Sequence, residues 1–399
     1  VKRAVAIAVL LSVSASAGVA EYDVSARTSL ATRSPLPGDV GEGVTTDLVV
    51  EPVAVGVLRF TRQRVSLQYS PRLIVREPQV SPRALPLHDG TFSWELRLER
   101  TTVQFRQDGS YGVADVGALV MPAGARPGSV FEVQTLGAVP WVRSASMLMF
   151  DSRPSERARF SLGASYLVSG DPTGGDALPL QWGPMLQGSA SFSATRTLHL
   201  VTDAFGVHAD LATGARQSIG FVTQSVRWQV TRPTLVQLGA GVAYALNVLV
   251  DLPGGPPPGL TEGVLPVAQA AVTSAMEVRG LPLRLDLGAR MAPFADRFTG
   301  AVYERLEARA AVTSRPLREL TAGVSAGLGW ALPIGDSRQA DDRAIFADAT
   351  ARWDATRWFS VLGTARFVWT EQPRLGVPAQ ALWVVSLGAL VRDTDNASF

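Results

Sequence analysis

The chain has 399 residues, 46% of them hydrophobic and only 18% charged, with a formal net charge of +2. That balance excludes recruitment of nucleic acid by bulk charge. The absence of cysteine excludes disulfides, a lipoprotein anchor and thiolate metal sites. A soluble chain of this length would divide into two or three domains, whereas a large barrel remains one.

The first twenty residues read as a secretory signal peptide: Lys2 and Arg3, an apolar run over residues 4–13, then small residues. Ala15-Ser16-Ala17 forms a small-x-small cleavage site, and cleavage after Ala20 fits nearly as well. The apolar run is too short to span a bilayer as a helix, and no later run reaches 18 apolar residues. Removal of Lys2 and Arg3 leaves 35 bases against 35 acids. Residues 21–399 are expected to form one domain.

From there the pattern is alternation, the period of a half-buried strand. A weak strand over residues 21–33 carries Tyr22, Val24, Ala26, Thr28 and Leu30 on one parity. Residues 48–60 are apolar on both. Over residues 65–76, Leu67, Tyr69 and Leu73 oppose Gln68, Ser70, Arg72 and Arg76; later Phe92, Trp94 and Leu96 oppose Ser93, Glu95 and Arg97. A strand over residues 103–112 follows, then a poorly defined region with one strand ending in SMLMF. Residues 158–168 alternate cleanly. Residues 198–211 and 217–230 change their apolar parity partway, predicting bulges or burial on both sides. From Leu235 onward the alternation is strong to residue 391.

The clearest stretch is LPLRLDLGARMAPFAD, residues 281–296. One parity carries Leu281, Leu283, Leu285, Leu287, Ala289 and Met291; the other carries Arg284, Asp286, Gly288 and Arg290. Sixteen residues at about 3.3 Å each reach about 50 Å, far beyond an ordinary strand. A tilted strand crosses a bilayer core with about 9–11 residues. A Gly280-Leu281 hairpin loop of type II′ would set Glu277 opposite Arg284 on the wet face and Val278 opposite Leu283 on the greasy one.

Short turns are expected near residues 62, 100, 154, 196, 232, 280, 315 and 357; four share a Thr-Arg or Thr-Ser-Arg form, SATRTL, VTRPTL, VTSRPL and DATRWF. Pro/Gly/Asp-rich loops fill most of the alternate connections. Short turns at one end and long loops at the other are the asymmetry of a transmembrane barrel. The fold expected is therefore all-β: a closed, antiparallel, up-and-down transmembrane barrel of about 18 strands, or 16 if the first strand or that of residues 133–150 is spurious.

The signal peptide, the alternating strands, the turn asymmetry and the last strand, ALWVVSLGALV, together resemble the bacterial outer-membrane β-barrels of the large porin-like type. Terminal Phe399 is similar to that family's C-terminal aromatic insertion signal. Counting back by twos, however, gives Ala397, Asp395 and Asp393 rather than apolar residues, so the signal is read as ending near Val391 with a short polar tail beyond. The resemblance implies secretion through the periplasm into the Gram-negative outer membrane, contact with its lipid and lipopolysaccharide, and passage of small hydrophilic solutes without a cofactor. The alternative is a plugged, structural or export-associated barrel whose extracellular loops bind a partner.

Candidate functional residues are the wet-face charges: Arg72, Arg76, Glu95, Arg97, Arg106, Glu277, Arg284, Asp286, Arg290, Arg305, Glu307, Arg309, Asp348, Arg352 and Arg366. Bases outnumber acids two to one, which predicts a pore lining with mild anion preference. Cross-strand ion pairs such as Glu277–Arg284 are the plain structural reading of the same residues. No catalytic set is expected, since His199 and His208 lie nine residues apart and face opposite ways, and His88 falls in a loop. Asp171, Asp176, Asp341 and Asp342 lack calcium-loop spacing and read as solvated carboxylates rather than a metal site. Trp94, Trp141, Trp228, Trp330, Trp353, Trp358, Trp369 and Trp383 are candidates for interfacial girdles, although Trp358 falls on the wet parity and reads as an inward contact.

Overall fold

The computed structural model describes residues 19–34, 44–76, 83–115, 138–174, 178–249, 259–295, 302–333, 342–372 and 377–392. The expected signal segment, Phe399 and the residues counted back from it lie outside these, apart from Val19 and Ala20, which open the first strand. Eighteen strands run in chain order: β1 Val19–Arg33, β2 Thr45–Arg59, β3 Gln63–Val75, β4 Ala84–Arg97, β5 Thr101–Asp115, β6 Ala138–Ser152, β7 Ala158–Gly170, β8 Gln181–Ser193 and β9 Leu198–Leu211. They continue as β10 Arg216–Thr231, β11 Thr234–Leu249, β12 Gly259–Val278, β13 Leu281–Ala295, β14 Val302–Leu317, β15 Leu320–Pro333, β16 Asp342–Asp354, β17 Phe359–Gln372 and β18 Val377–Arg392. Every neighbour is antiparallel, and β1 pairs with both β2 and β18, so the sheet closes with no free edge. At the seam Ser34 N–H donates to the Trp383 carbonyl (3.0 Å), and Trp383 N–H donates to Ser34 Oγ (3.1 Å).

Two rows of register partners show what alternation builds. One runs Val272, Leu287, Ala310, Ala326, Ala347, Phe367, Trp383; its neighbour runs Thr273, Asp286, Ala311, Ser325, Asp348, Arg366, Val384, Arg33, Thr45. The second row is the concave one. Arg290 on β13 lies 6.0 Å from the Phe221 ring on β10 although two strands separate them, a contact that only inward-pointing side chains can make. The first row faces out, and the outer face is apolar and bare: Val264 is 72% exposed, Leu387 65% and Leu162 62%. Burying such a side chain is worth about 1.5–3 kcal/mol, so a wall of them requires acyl chains against it. Tyr69, Tyr111, Tyr166, Tyr244 and Trp330 stand exposed near its loop end, and Phe150, Phe160, Phe192, Trp228 and Trp353 near its short-turn end. These are the two aromatic girdles of an outer-membrane barrel.

Several local expectations are corrected. Arg279 has φ 53° and Gly280 φ 80°, so the hairpin turns on Arg279-Gly280 with both central residues left-handed, as type I′ requires. The register moves by two residues: Val278 meets Leu281, Glu277 meets Pro282 and Arg284 meets Ala275. A shift of two preserves both faces but removes the Glu277–Arg284 pair. The turn expected near 315 lies between Leu317 and Leu320, because a register shift between Ser314 and Leu317 absorbs Pro316, which has no N–H to give the ladder. SATRTL and DATRWF do make the same turn: Thr195 Oγ1 accepts from Leu198 N–H and Thr356 Oγ1 from Phe359 N–H, each at 3.0 Å. β9 and β10 pair without a break, while β10 shifts register against β11 between Gln229 and Thr231, the irregularity expected in that strand. Trp141 pairs with Gly112 in the row of Leu87, on the inner parity, and so leaves the girdle. Trp358 stands 51% exposed in the β16–β17 turn with its ring 5.9 Å from that of Phe359.

Candidate functional site

The register places fourteen of the fifteen charged candidates in rows on the concave side of the sheet; Arg76, one residue past β3, donates its N–H to the Arg83 carbonyl (2.8 Å) and is buried. Their partners are mostly not across the strands but along them. Arg97 bonds Glu95, Arg106 bonds Asp108 (2.9 Å), Arg284 bonds Asp286 (3.0 Å), Arg305 bonds Glu307 (2.9 Å) and Arg352 bonds Asp354 (2.7 Å). Residues two apart on a strand share a face about 6.6 Å apart, within reach of a bent arginine. Arg-x-acid and acid-x-Arg spacing is thus a sequence signal for these pairs. Cross-strand pairs also exist: Arg366 with Asp348, Arg72 with Glu51, and Arg59 with Glu21 at 2.8 Å. Asp286 further accepts from Thr273 Oγ1 (2.8 Å).

Along the barrel axis the inner face divides. Towards the short turns it is open to water: the arginines of the Arg97, Arg159 and Arg284 pairs are 65%, 52% and 63% exposed. Towards the long loops it is buried and largely apolar. Ile219, Ala243, Ala245, Leu265, Val267 and Ala292 form one cluster there, Tyr303, Ala331 and Ala344 a second, and Ala31, Val49, Ile74 and Leu85 a third. Beside the last cluster, Arg33 and Asp47 make an ion pair of 3.1 Å with side chains 1% and 2% exposed, and Arg76 is buried too. Alternation alone did not indicate this dry end, because Ile219, Leu265 and Val267 on inner parity look like breaks in the pattern.

Between the two zones, the inner wall of β11–β14 holds a cavity of about 240 Å³ lined by Gln237, Gln269, Gly288, Arg290, Glu307 and Arg309. The wall curls tightly at its edge. A Cβ on Gly241 would stand 2.0 Å from the Val222 carbonyl oxygen, so only glycine lets β10 and β11 approach there. Phe221 packs on Phe205, its register partner on β9, with ring centroids 5.1 Å apart, and lies beneath Arg290.

The three histidines stand on separate parts of the wall, and His88 lies in β4 rather than in a loop. His199 Nδ1 bonds Ser193 Oγ on the inner face, His208 Nδ1 bonds Ser218 Oγ on the outer face, each at 2.8 Å, and His88 stands at the outer rim, bonded to Tyr69. Asp171 is not solvated. It is 4% exposed because its carboxylate closes a turn, accepting from Thr173 N–H (2.8 Å) and Oγ1 (2.7 Å). Asp176 and Asp341 lie outside the described residues, as does the side chain of Asp342.

The model of the EpsX exopolysaccharide export family matches residues 10–396. This chain belongs to that family. No curated protein matches it. Among solved structures, Pseudomonas aeruginosa OpdQ is similar at TM-score 0.50 and 9% identity, covering 94% of this chain and 97% of its own. P. aeruginosa OpdL (TM-score 0.49, 11% identity) and Acinetobacter baumannii OccAB3 (0.48, 8%) each cover 94% of this chain, and 98% and 99% of their own. At such identities the likeness to OpdQ is one of fold: this EpsX-family chain is a large outer-membrane barrel.

Proposed function

We propose that this barrel is a water-filled pore of the outer membrane with mild anion preference, and that the hydrophilic cargo it passes is an exopolysaccharide chain leaving the cell. Small hydrophilic solutes would diffuse through the same water. The observation that carries the pore is the inner face itself, where nine arginines and five acids from the candidate set line a closed wall whose outer side is apolar. Such charged rings set ion selectivity, and 18 strands leave room for an aqueous channel. Family membership supports the cargo. Its outer rim, where Tyr69, His88 and the Arg216–Asp210 pair (3.3 Å) stand, suits the lipopolysaccharide head groups.

The test is a planar bilayer with the full chain reconstituted under a potassium chloride gradient. A stable open current whose reversal potential favours chloride is expected; a cation-favouring potential refutes the anion preference. In the source bacterium, loss of the chain should remove surface polysaccharide, and the wild-type gene should restore it. A second reading, a barrel held shut at its loop end until a partner opens it, is favoured by the three buried inner clusters. Silence in the bilayer would support it.

A further inference from the structure

We infer that the β11–β14 cavity is a subsite for one acidic sugar unit of the passing chain, its carboxylate held by Arg290 and Arg309 and its hydroxyls by Gln237 and Gln269. The inference rests on the pore reading and adds the chemical class of the cargo.

Most inner-face arginines near it are already spent on carboxylates, but these two are not. Arg305 bonds Glu307 and Arg284 bonds Asp286, whereas neither Arg290 nor Arg309 has a carboxylate within 4 Å among the described residues. Both are exposed to the lumen. The register sets Arg290 opposite Glu307 and Arg309 opposite Gly288, so the two arginines are diagonal neighbours across β13–β14. Diagonal side chains on one face lie about 7–8 Å apart at the backbone, close enough for two guanidiniums to converge on one carboxylate. Gly288 offers no side chain between them, leaving the floor open.

The remaining walls suit a sugar. Gln237 Oε1 accepts from Arg227 Nε (3.1 Å), which fixes the amide and turns its NH₂ free. Gln269, paired with Arg290 in register, makes no side-chain hydrogen bond among the described residues, so both its donor and its acceptor are available for hydroxyls. Phe221 holds the Arg290 guanidinium from below, at 6.0 Å, which limits the rotamers that the arginine must lose on binding. A neutral hexose would use the amides but leave two guanidiniums without an anion; an acidic one satisfies all four groups, the lining carboxylate of Glu307 being neutralised by Arg305 at 2.9 Å.

The experiment uses the full chain in detergent micelles and titrates hexagalacturonate against maltohexaose by calorimetry. Wild type should bind the acidic oligomer at least about tenfold more tightly than the neutral one, the effect of one or more hydrogen bonds to a charged group. Arg290→Gln with Arg309→Gln should remove that margin, while Arg290→Lys with Arg309→Lys should retain part of it. Arg153→Gln, in the exposed short turn between β6 and β7 and outside the inner-face set, should leave it unchanged. Equal binding of both oligomers by wild type, no binding of either, or undiminished acidic binding by the double glutamine variant each overturns the subsite. Single-channel recording separates this from the pore itself. An open channel with no preference for the acidic oligomer removes the subsite and keeps the pore; a silent channel whose protein still binds it selectively removes the pore and keeps the subsite.

Discussion

The two ends of the lumen use the same ion pair in opposite settings. Arg284 and Asp286, beside a short turn, meet at 3.0 Å with the arginine 63% exposed; Arg33 and Asp47, beneath the long loops, meet at 3.1 Å with 1% and 2% exposed. The distances are nearly identical and the groups are the same, although one pair lies along β13 and the other across β1 and β2. What differs is what each charge would do if its partner left. Water takes over at the short-turn end, whereas at the other both side chains are almost wholly shut off from it. Inner-face charge therefore has two roles in this wall: to present a hydrated surface to cargo near the turns, and to hold strands in place near the loops.

The sharpest way to break that contrast is Arg33→Ala. The change removes one side of an ion pair whose side chains are 1% and 2% exposed, and breaking a buried pair costs about 3–5 kcal/mol. The variant is expected to lose its folded, fast-migrating form in a heat-modifiability gel at markedly lower temperature than wild type. If it behaves like the wild type, the loop end is wet after all. Next in size is Gly241→Ala. Its new methyl would meet the Val222 carbonyl oxygen at 2.0 Å and Thr223 Cα at 2.7 Å, both backbone, so relief requires the wall to move, at about 1–3 kcal/mol. Gly56→Ala, on the short-turn half of β2, meets nothing within 4 Å and should leave the midpoint unchanged or slightly raised. Comparable losses in both variants would show that the tight curl at β10–β11 is not specific to Gly241.

The contrast also marks where the sequence was legible. Parity survives any even error in register, so the inward set from Arg72 to Arg366 followed from alternation even though the β12–β13 turn moved by two residues. Strand number and turn asymmetry came from the same local signal. What did not come through depends on distant groups. Whether Leu85 or Ile219 on an inward row is wet or dry depends on how tightly the wall curls and on what lies across it. The left-handed conformation at Arg279 is a property of the turn as a whole, since arginine carries no preference for it. Of the cavity, Arg290 and Arg309 were visible as charges; Gln237 and Gln269 were not singled out, because glutamine on a wet parity is unremarkable until an unpaired arginine is placed beside it.

The smallest expected effect is the one that best tests the division of roles. Asp286→Asn removes the carboxylate that Arg284 Nε and Thr273 Oγ1 both donate to. Because the pair is largely exposed, stability should fall by only about 0.2–1 kcal/mol, near the resolution of a thermal scan. Arg284 would then carry an unneutralised charge into the lumen close to its short-turn mouth. The chloride preference of the reconstituted pore should therefore rise, and the rise should shrink as salt increases, since the screening length falls from about 10 Å at 0.1 M to about 3 Å at 1 M. A large loss of stability with no change in reversal potential would mean that this pair, too, holds the wall together, and the distinction between the two ends would fail where it is easiest to measure.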